Sequence, residues 1–392
     1  MIKLASREFC TGCGACAYKC PKSCISMMEN VIGEVLPQIN TEECIQCHLC
    51  EKVCPILSAP TTAEPQECYA AWSKDITTRL TSASGGIAYE LYKNAFDNGY
   101  YAVGASINED FSVSLKIADC EKGLEPFKNS KYVFSDGYSI YPEIETMLKQ
   151  QKKVIIAGLP CQIAAFKNIF HNNENLILIE ILCHGTSPYS YLKQHIETIK
   201  LRTKSNISQI SFRDPANGTI AFVFSCYQGE RPIYQAKEED SYMYSFHNAI
   251  SYRESCYHCH FAKNERVGDL VLCDFYGLGK ESKCSYREEN VSCVLLVTPK
   301  GQSFFNDLKS NNRIFFEKRN VLEAKVGNPR LTCPSSKSKE RLLFEKNINN
   351  SNGNFEKAIG PILNAYTKKK NASFKKKLLY ILIDRIRNIL GL

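Results

Sequence analysis

The 392-residue sequence predicts an α+β module at its start, an α/β body with a mixed sheet behind it, and a basic amphipathic helix at its end. Three observations carry that prediction. The string C-x2-C-x2-C-x3-C-P is written twice near the start. Apolar runs of strand length then alternate with stretches of helical period. Finally, two lysine triplets precede Leu and Ile residues spaced as on one helix face.

Cys10, Cys13, Cys16 and Cys20 are followed by Pro21, and Cys44, Cys47, Cys50 and Cys54 by Pro55. Three thiolates at i, i+3 and i+6 wrap one cubane from a single loop, while the fourth, turned away by the proline, reaches the other cluster. The expected ligand sets are Cys10, Cys13, Cys16 and Cys54 for one [4Fe–4S] cluster and Cys44, Cys47, Cys50 and Cys20 for a second. Zinc also takes paired C-x-x-C units, but does not need three cysteines per loop plus a Cys-Pro, twice over. Residues 1–57 therefore read as a bacterial-type ferredoxin module, with Ile32–Ile39 as a short hairpin joining its lobes. His48 reads as a loop residue and Cys24 as packing.

Residues 58–66 are rich in Pro, Thr and Ala without periodicity and read as a linker to a body over residues 67–330. Helices are predicted over Ile87–Asn98, Tyr138–Gln151, Gln162–His171 and Tyr189–Leu201. Strands are predicted over Tyr100–Ile107, Val113–Ala118, Lys153–Ala157, Leu176–Leu182, Ile207–Phe212, Ile220–Tyr227, Leu270–Phe275 and Cys293–Val297. Continuous apolar strands alternating with helices argue for an α/β body with a mixed sheet, its later part more antiparallel.

Chemistry belongs at the turns. Thr81-Ser-Ala-Ser-Gly-Gly86 leads into a helix, offering backbone N–H groups and a positive helix end to an anion, although a plain N-cap would look the same. Cys161 in Gly158-Leu-Pro-Cys-Gln162 opens a helix after a buried strand, and Cys183 ends the next one. Cys256 and Cys259 form a separate C-x-x-C. Four thiols from three segments could hold a third cluster; zinc, a redox dithiol or a chance pair remain alternatives. Cys161 with His184 also invites a thiol-nucleophile reading, which a ferredoxin module does nothing to support. No G-x-G-x-x-G follows a strand, which disfavours a conventional nicotinamide site.

Taken in order, these segments resemble the family of coenzyme F420 hydrogenase/dehydrogenase beta subunits. The match runs through the double cysteine motif, Ser82-Ala-Ser-Gly-Gly86, Asn129-Ser-Lys-Tyr-Val133, Gly158–Gln162, Cys183-His-Gly185, Ile210–Asp214, Cys256-Tyr-His-Cys259, Gly268-Asp269 and Asp274-Phe275. The resemblance implies an iron–sulfur flavoprotein oxidoreductase that passes electrons between ferredoxin-type clusters and FAD, beside a third [4Fe–4S] cluster. It makes Cys161, Cys256 and Cys259 cluster ligands, with Cys183 chosen as the fourth. It makes the Ser84-Gly85-Gly86 turn a flavin contact, together with Ser82 and Gly158. Lys131 and Arg213 either face the flavin or substrate or form surface ion pairs. The acceptor would be a small organic or deazaflavin substrate, in the setting of polysaccharide biosynthesis that some relatives occupy. The alternative is an electron-transfer subunit without its own substrate, wiring a partner enzyme. Leu159 stands where Thr is common in the family and Cys273 where Gly is common, so no relative's substrate transfers directly.

Twenty cysteines without an export signal point to metal ligation in a reducing cytoplasm. The net charge of +8 is concentrated in residues 366–392, whose six Lys and two Arg against one Asp give +7. The body therefore gives no electrostatic reason to bind nucleic acid. Between body and tail, residues 331–365 read as a variable segment. The tail is suited either to an anionic membrane surface or to docking on its own body. The expected partner is a redox protein or a small molecule; catalytic residues, substrate and oligomeric state are not legible.

Overall fold

The computed structural model describes residues 2–171, 173–284 and 290–390, and from residue 374 on the backbone helix alone. Strands β1 (Ile25–Glu29) and β2 (Val35–Ile39) form an antiparallel hairpin between the two cysteine loops. The expected hairpin over Ile32–Ile39 is thus its turn and second strand only. Asn30 makes that turn, its side-chain oxygen accepting from Ile32 N at 3.1 Å and Glu34 N at 2.9 Å.

The body holds β3 (Glu67–Ser73), β4 (Tyr100–Ile107), β5 (Val113–Ala118), β6 (Ser135–Asp136), β7 (Lys153–Gly158) and β8 (Leu176–Ile181). It continues with β9 (Gln209–Ser211), β10 (Phe224–Gln228), β11 (Arg231–Ala236), β12 (Leu270–Asp274), β13 (Ser292–Leu296) and β14 (Ile314–Arg319). The main sheet has the order β14-β3-β13-β12-β8-β7-β4-β5-β6. Its centre, β12, β8, β7 and β4, is parallel, while β13, β3 and β14 are antiparallel on one flank. That is the mixed sheet expected, with the later strands antiparallel.

Alternation along β7 sends Val154 and Ile156 to one face and Ile155 and Ala157 to the other, and all are buried. Helices Ile87–Asp97 and Pro299–Ser310 cover one face; Tyr141–Lys149 and Pro160–Phe170 cover the other. Ala15 and Val53 of the N-terminal module lie in the core under those last two helices, with Tyr141 and Phe166. Burying a side chain the size of Val53 contributes about 1.5–3 kcal/mol of transfer free energy, and the Ala15 methyl less. The module is therefore fixed to the body by core packing as well as by polar contacts. At Gly14 (φ +70°) a Cβ would stand 2.5 Å from Tyr138 Cβ, so only glycine admits this approach.

Four expectations need correction. Ile220–Tyr227 is strand only from Phe224, because Thr219–Ala221 is a short 3-10 turn. Ile207–Phe212 shortens to Gln209–Ser211. Residues 58–66 are not a free tether: Ala63 and Arg266 exchange two backbone hydrogen bonds, at 3.0 and 2.8 Å. Residues 331–365, for which the sequence indicated no element, include helix Lys339–Asn350 and the first turns of helix Phe355–Leu390.

Those C-terminal turns bury Phe355, Ala358 and Ile359 against helices Tyr189–Thr203 and Ser241–His247 in a second core. Tyr366 packs on Tyr244 at 4.7 Å and its hydroxyl donates to Glu238 at 3.2 Å, so the start of the tail docks on the body. The amphipathic positions from Leu378 to Leu390 lie outside the described side chains. No helix among the described residues is long and apolar enough to cross a membrane.

One buried network holds this second core together. His195 bonds Asp240 through Nε2 at 2.8 Å and Glu356 through Nδ1 at 2.7 Å, while Tyr234 donates to Asp240 at 2.8 Å. Burial alone would lower the His195 pKa, but the Asp240 and Glu356 carboxylates outweigh it and raise the imidazole to about 9. A raised histidine stabilises the fold fully below its ordinary value of 6.5 and loses that contribution as pH rises through about 9. Chemical denaturation should therefore show wild type losing roughly 2–3 kcal/mol relative to His195→Gln between pH 6.5 and 9.5.

Candidate functional site

Because β7, β8 and β12 are parallel, their carboxyl ends meet at one edge of the sheet. Cys161 follows β7 in the first turn of helix Pro160–Phe170, and Cys183 follows β8. Cys256 and Cys259 come from the short helix Glu254–Tyr257 and its exit loop. All four sulfurs line one cavity at this edge. Burial first, and then mutual repulsion among the thiolates, raises the Cys161 and Cys183 thiols well above their ordinary range, and Cys259 is raised for the same two causes. As free thiols Cys161, Cys183 and Cys259 would be protonated, and a metal centre is what makes such sulfurs ionise.

The cavity wall also carries two guanidinium groups, each with one nitrogen left without a partner among the described residues. Arg253 Nε and Arg330 Nη1 are buried without a hydrogen-bond partner among the described residues, and both side chains line the four-thiol cavity. The Thr186 N–H donates to Cys256 Sγ at 3.4 Å. Orphaned guanidinium nitrogens and an N–H aimed at sulfur are what an anionic thiolate-ligated cluster needs around it. The donor set therefore fits a [4Fe–4S] cluster. Among the described residues no three His, Cys, Asp or Glu side chains close around a single-ion position. A cubane asks for something different, since each of its irons takes its own thiolate.

Two further cysteine-lined cavities lie in the module. One is lined by Cys10, Cys13, Cys16 and Cys54 together with Cys50. The other is lined by Cys20, Cys44, Cys47 and Cys50, with Cys24 as a fifth thiol 3.4 Å from Cys20. Cys47 is exposed. Adjacent cavities share a wall residue: Cys50 lines both module cavities, and Cys13 lines the first module cavity and the four-thiol cavity. The Arg253 guanidinium donates to Thr11 O at 2.7 Å and the Tyr141 hydroxyl to Cys13 O at 2.8 Å, which hold that junction closed.

Cys183 in turn lines a fourth cavity of about 500 Å³, within the range of small-molecule sites. One end is built by Ser82, Ser84 and Gly86 ahead of helix Ile87–Asp97, whose N-terminus no side chain caps. Its first-turn N–H groups are thus open to an anion such as a pyrophosphate. Gly86 adopts φ +80°, the left-handed entrance a glycine takes without strain. The Ser82 and Ser84 hydroxyls donate to Thr78 O at 2.7 Å and Val291 O at 3.0 Å, leaving their oxygens as acceptors. Gly85 needs correction: it does not line the cavity. Its N–H donates to Ser292 Oγ at 3.0 Å, and a Cβ there would lie 2.5 Å from Ala71 O, so it is a packing glycine.

Its wall is also aromatic, with Tyr132, Phe222, Phe246, Tyr252 and Tyr276 lining it together with Arg213 and Asp274. Arg213 lies 4.3 Å over the Phe222 ring and pairs with Asp274 at 3.1 Å, a buried pair rather than a surface one. Nor does Lys131 make a surface ion pair among the described residues. Its ammonium donates to the carbonyls of Pro126, Lys128 and Asn129 at 2.8, 2.7 and 3.3 Å, and burial lowers it to about 7. His247 is lowered to about 4 by burial and then by the charges of Arg213 and His184, so it is a neutral imidazole at neutral pH. Gly158 lines the wall beside Gln162. A helix N-terminus open to an anion in an aromatic-lined cavity of this size fits a dinucleotide carrying a planar ring, FAD included.

The loop that carries Cys259 is held by a pair that the sequence reading did not single out. Glu180 on β8 accepts from Arg266 Nε and Nη2 at 3.1 and 2.5 Å, from Val267 N, and from Gly268 N at 2.7 Å. Arg266 also donates to Phe261 O and Lys263 O, both at 2.9 Å. Both partners are fully buried. Glu180→Gln should cost about 3–5 kcal/mol in denaturant unfolding, because it leaves the Arg266 charge buried without its counter-charge. The double variant Glu180→Gln/Arg266→Met should recover part of that loss.

Residues 151–320 match the family model for the C-terminal part of the coenzyme F420 hydrogenase/dehydrogenase beta subunit. Residues 9–56 match a 4Fe-4S dicluster domain. Among curated proteins, one of the subunits of the F(420)H(2) dehydrogenase of Methanosarcina mazei is 22% identical over 273 residues, which cover 66% of this chain and 73% of that protein. An uncharacterised protein of Methanocaldococcus jannaschii is 22% identical over 360 residues, covering 80% of this chain and 91% of its own length. The F420-reducing [NiFe] hydrogenase complex from Methanosarcina barkeri contains a chain that aligns with TM-score 0.45 and 14% identity, over 73% of this chain and 94% of that one.

Proposed function

From the chain's membership of the family of coenzyme F420 hydrogenase/dehydrogenase beta subunits, we infer that it is a cytoplasmic iron–sulfur flavoprotein oxidoreductase. The observation that carries this reading is the row of four cavities in which each neighbouring pair shares a thiol: Cys50, then Cys13, then Cys183. Cys20, Cys44, Cys47 and Cys50 would hold the outermost cluster, where the exposed Cys47 gives a redox partner access. Cys10, Cys13, Cys16 and Cys54 would hold the next, and Cys161, Cys183, Cys256 and Cys259 the third.

Ser82, Ser84 and Gly86 would hold the phosphates of FAD, with Lys131, Gly158 and Arg213 lining the rest of the cavity. FAD, when bound, trades electrons singly with clusters and as a pair with a substrate. The chain's part is to hold that site, shield it from water with the aromatic wall, and keep His184 and His247 neutral, the first by burial and the Arg330 charge. A small organic or deazaflavin acceptor, in polysaccharide biosynthesis or elsewhere, then receives or gives the pair.

A second reading, an electron-transfer subunit without its own substrate, is supported by the relative that is named as part of a dehydrogenase. Metal and flavin analysis of the anaerobically purified chain separates the two. The first reading predicts about twelve irons and one flavin per chain; about eight irons without flavin would favour the second. Cys256→Ala should lose about four irons and keep the paramagnetic signals of the module. An unchanged iron count would remove the third cluster from the account.

A further inference from the structure

Three cysteines outside the cluster sets meet on one face of the main sheet. Cys273 on β12 and Cys293 on β13 are directly opposed in the antiparallel register. Cys68 on β3, the next strand, brings its sulfur within 3.7 Å of Cys293 Sγ. Cys68 and Cys293 are fully buried, whereas Cys273 is partly exposed and lines the 500 Å³ cavity. Leu182 N donates to Leu272 O at 2.9 Å, so Cys273 also stands beside the segment that carries Cys183.

Buried cysteines are usually small apolar fillers, and Cys68 alone needs no other explanation. Cys273 differs from the other two, since it is partly exposed and its stretch of β12 lines the cavity wall. Directly opposed antiparallel residues have Cα atoms about 4.5–5.5 Å apart, within the roughly 4.4–6.8 Å a disulfide spans. Cys68 is diagonal to Cys293, because Cys293 pairs with Ala70 and Cys68 with Leu295. Diagonal positions lie about 7–8 Å apart, beyond comfortable disulfide reach.

We propose that Cys273 and Cys293 form a redox-active dithiol that exchanges an electron pair with the two-electron cofactor of the adjoining cavity. The proposal rests on the flavin reading above for the identity of that cofactor. In the oxidising direction two S–H bonds break, one Sγ–Sγ bond forms, and two electrons and two protons pass to the flavin, which is reduced. In the other direction the reduced flavin returns both and the thiols are restored. The pair would let the site hold two electrons beyond those on the flavin and the clusters.

The test uses the anaerobically purified full chain equilibrated in buffers of oxidised and reduced lipoate, with thiols blocked under denaturing conditions and peptides mapped by mass spectrometry. A Cys273–Cys293 linked peptide should dominate in the oxidised buffer and vanish in the reduced one. Reductive titration of the oxidised chain should consume two more electrons per chain than Cys273→Ala or Cys293→Ala. Both cysteines remaining free thiols in every buffer would overturn the proposal, as would a link that maps to Cys68 and Cys293, or equal electron uptake by wild type and variants. Flavin released on denaturation is counted in the same sample. Its absence would therefore count against the cofactor reading, whereas the peptide map decides the dithiol.

Discussion

Glu180 lies one residue from the end of a central parallel strand, fully buried on both sides, so its charge must be met by protein groups. Arg266 meets it with two guanidinium nitrogens, and the N–H groups of Val267 and Gly268 occupy the other oxygen. Satisfying that one carboxylate draws residues 261–268 against the sheet edge. The C-x-x-C pair just upstream is thereby set opposite Cys161 and Cys183. Such a pair is a poor source of net stability compared with apolar packing. What it supplies is a fixed position, and four ligands from three segments need one.

The same logic extends outward through the junctions. Arg253 reaches from the body to Thr11 O, and Glu34 of the module accepts from Glu254 N at 2.7 Å, so the helix carrying Cys256 is tied to the first cysteine loop. Ala15 and Val53 then share a core with the body's helices. A rigid junction of this kind would keep the distance between the proposed redox centres constant. The module therefore works as part of one body, rather than as a carrier swinging on a tether.

Much of this was legible in the sequence because the signals were local. The twin cysteine strings mark their loops by spacing alone, and the buried runs at 153–158 and 176–181 stand out by composition. The strand Glu67-Cys-Tyr-Ala-Ala-Trp-Ser73 escaped because its alanines and polar ends dilute the apolar pattern, although it lies inside the sheet. Helices Ser241–His247 and Lys339–Asn350 are short or charged, and what holds them comes from far along the chain: His195 on the Asp240 cap of the first, and Tyr191 against Phe344 of the second. Arg253, Arg330 and the Glu180–Arg266 pair carry no spacing signature at all. Gly85 looked like a ligand turn for the same reason that Gly86 does, and only the strand behind it shows the difference.

On the proposed reading three clusters would stand in a row, the third abutting the large cavity through Cys183. Anomalous diffraction at the iron edge from crystals of the anaerobic chain tests it most directly. The account predicts three iron centres in sequence, the innermost enclosed by Cys161, Cys183, Cys256 and Cys259. Iron confined to the two module sites, with those four thiols around a single ion or around nothing, would contradict it.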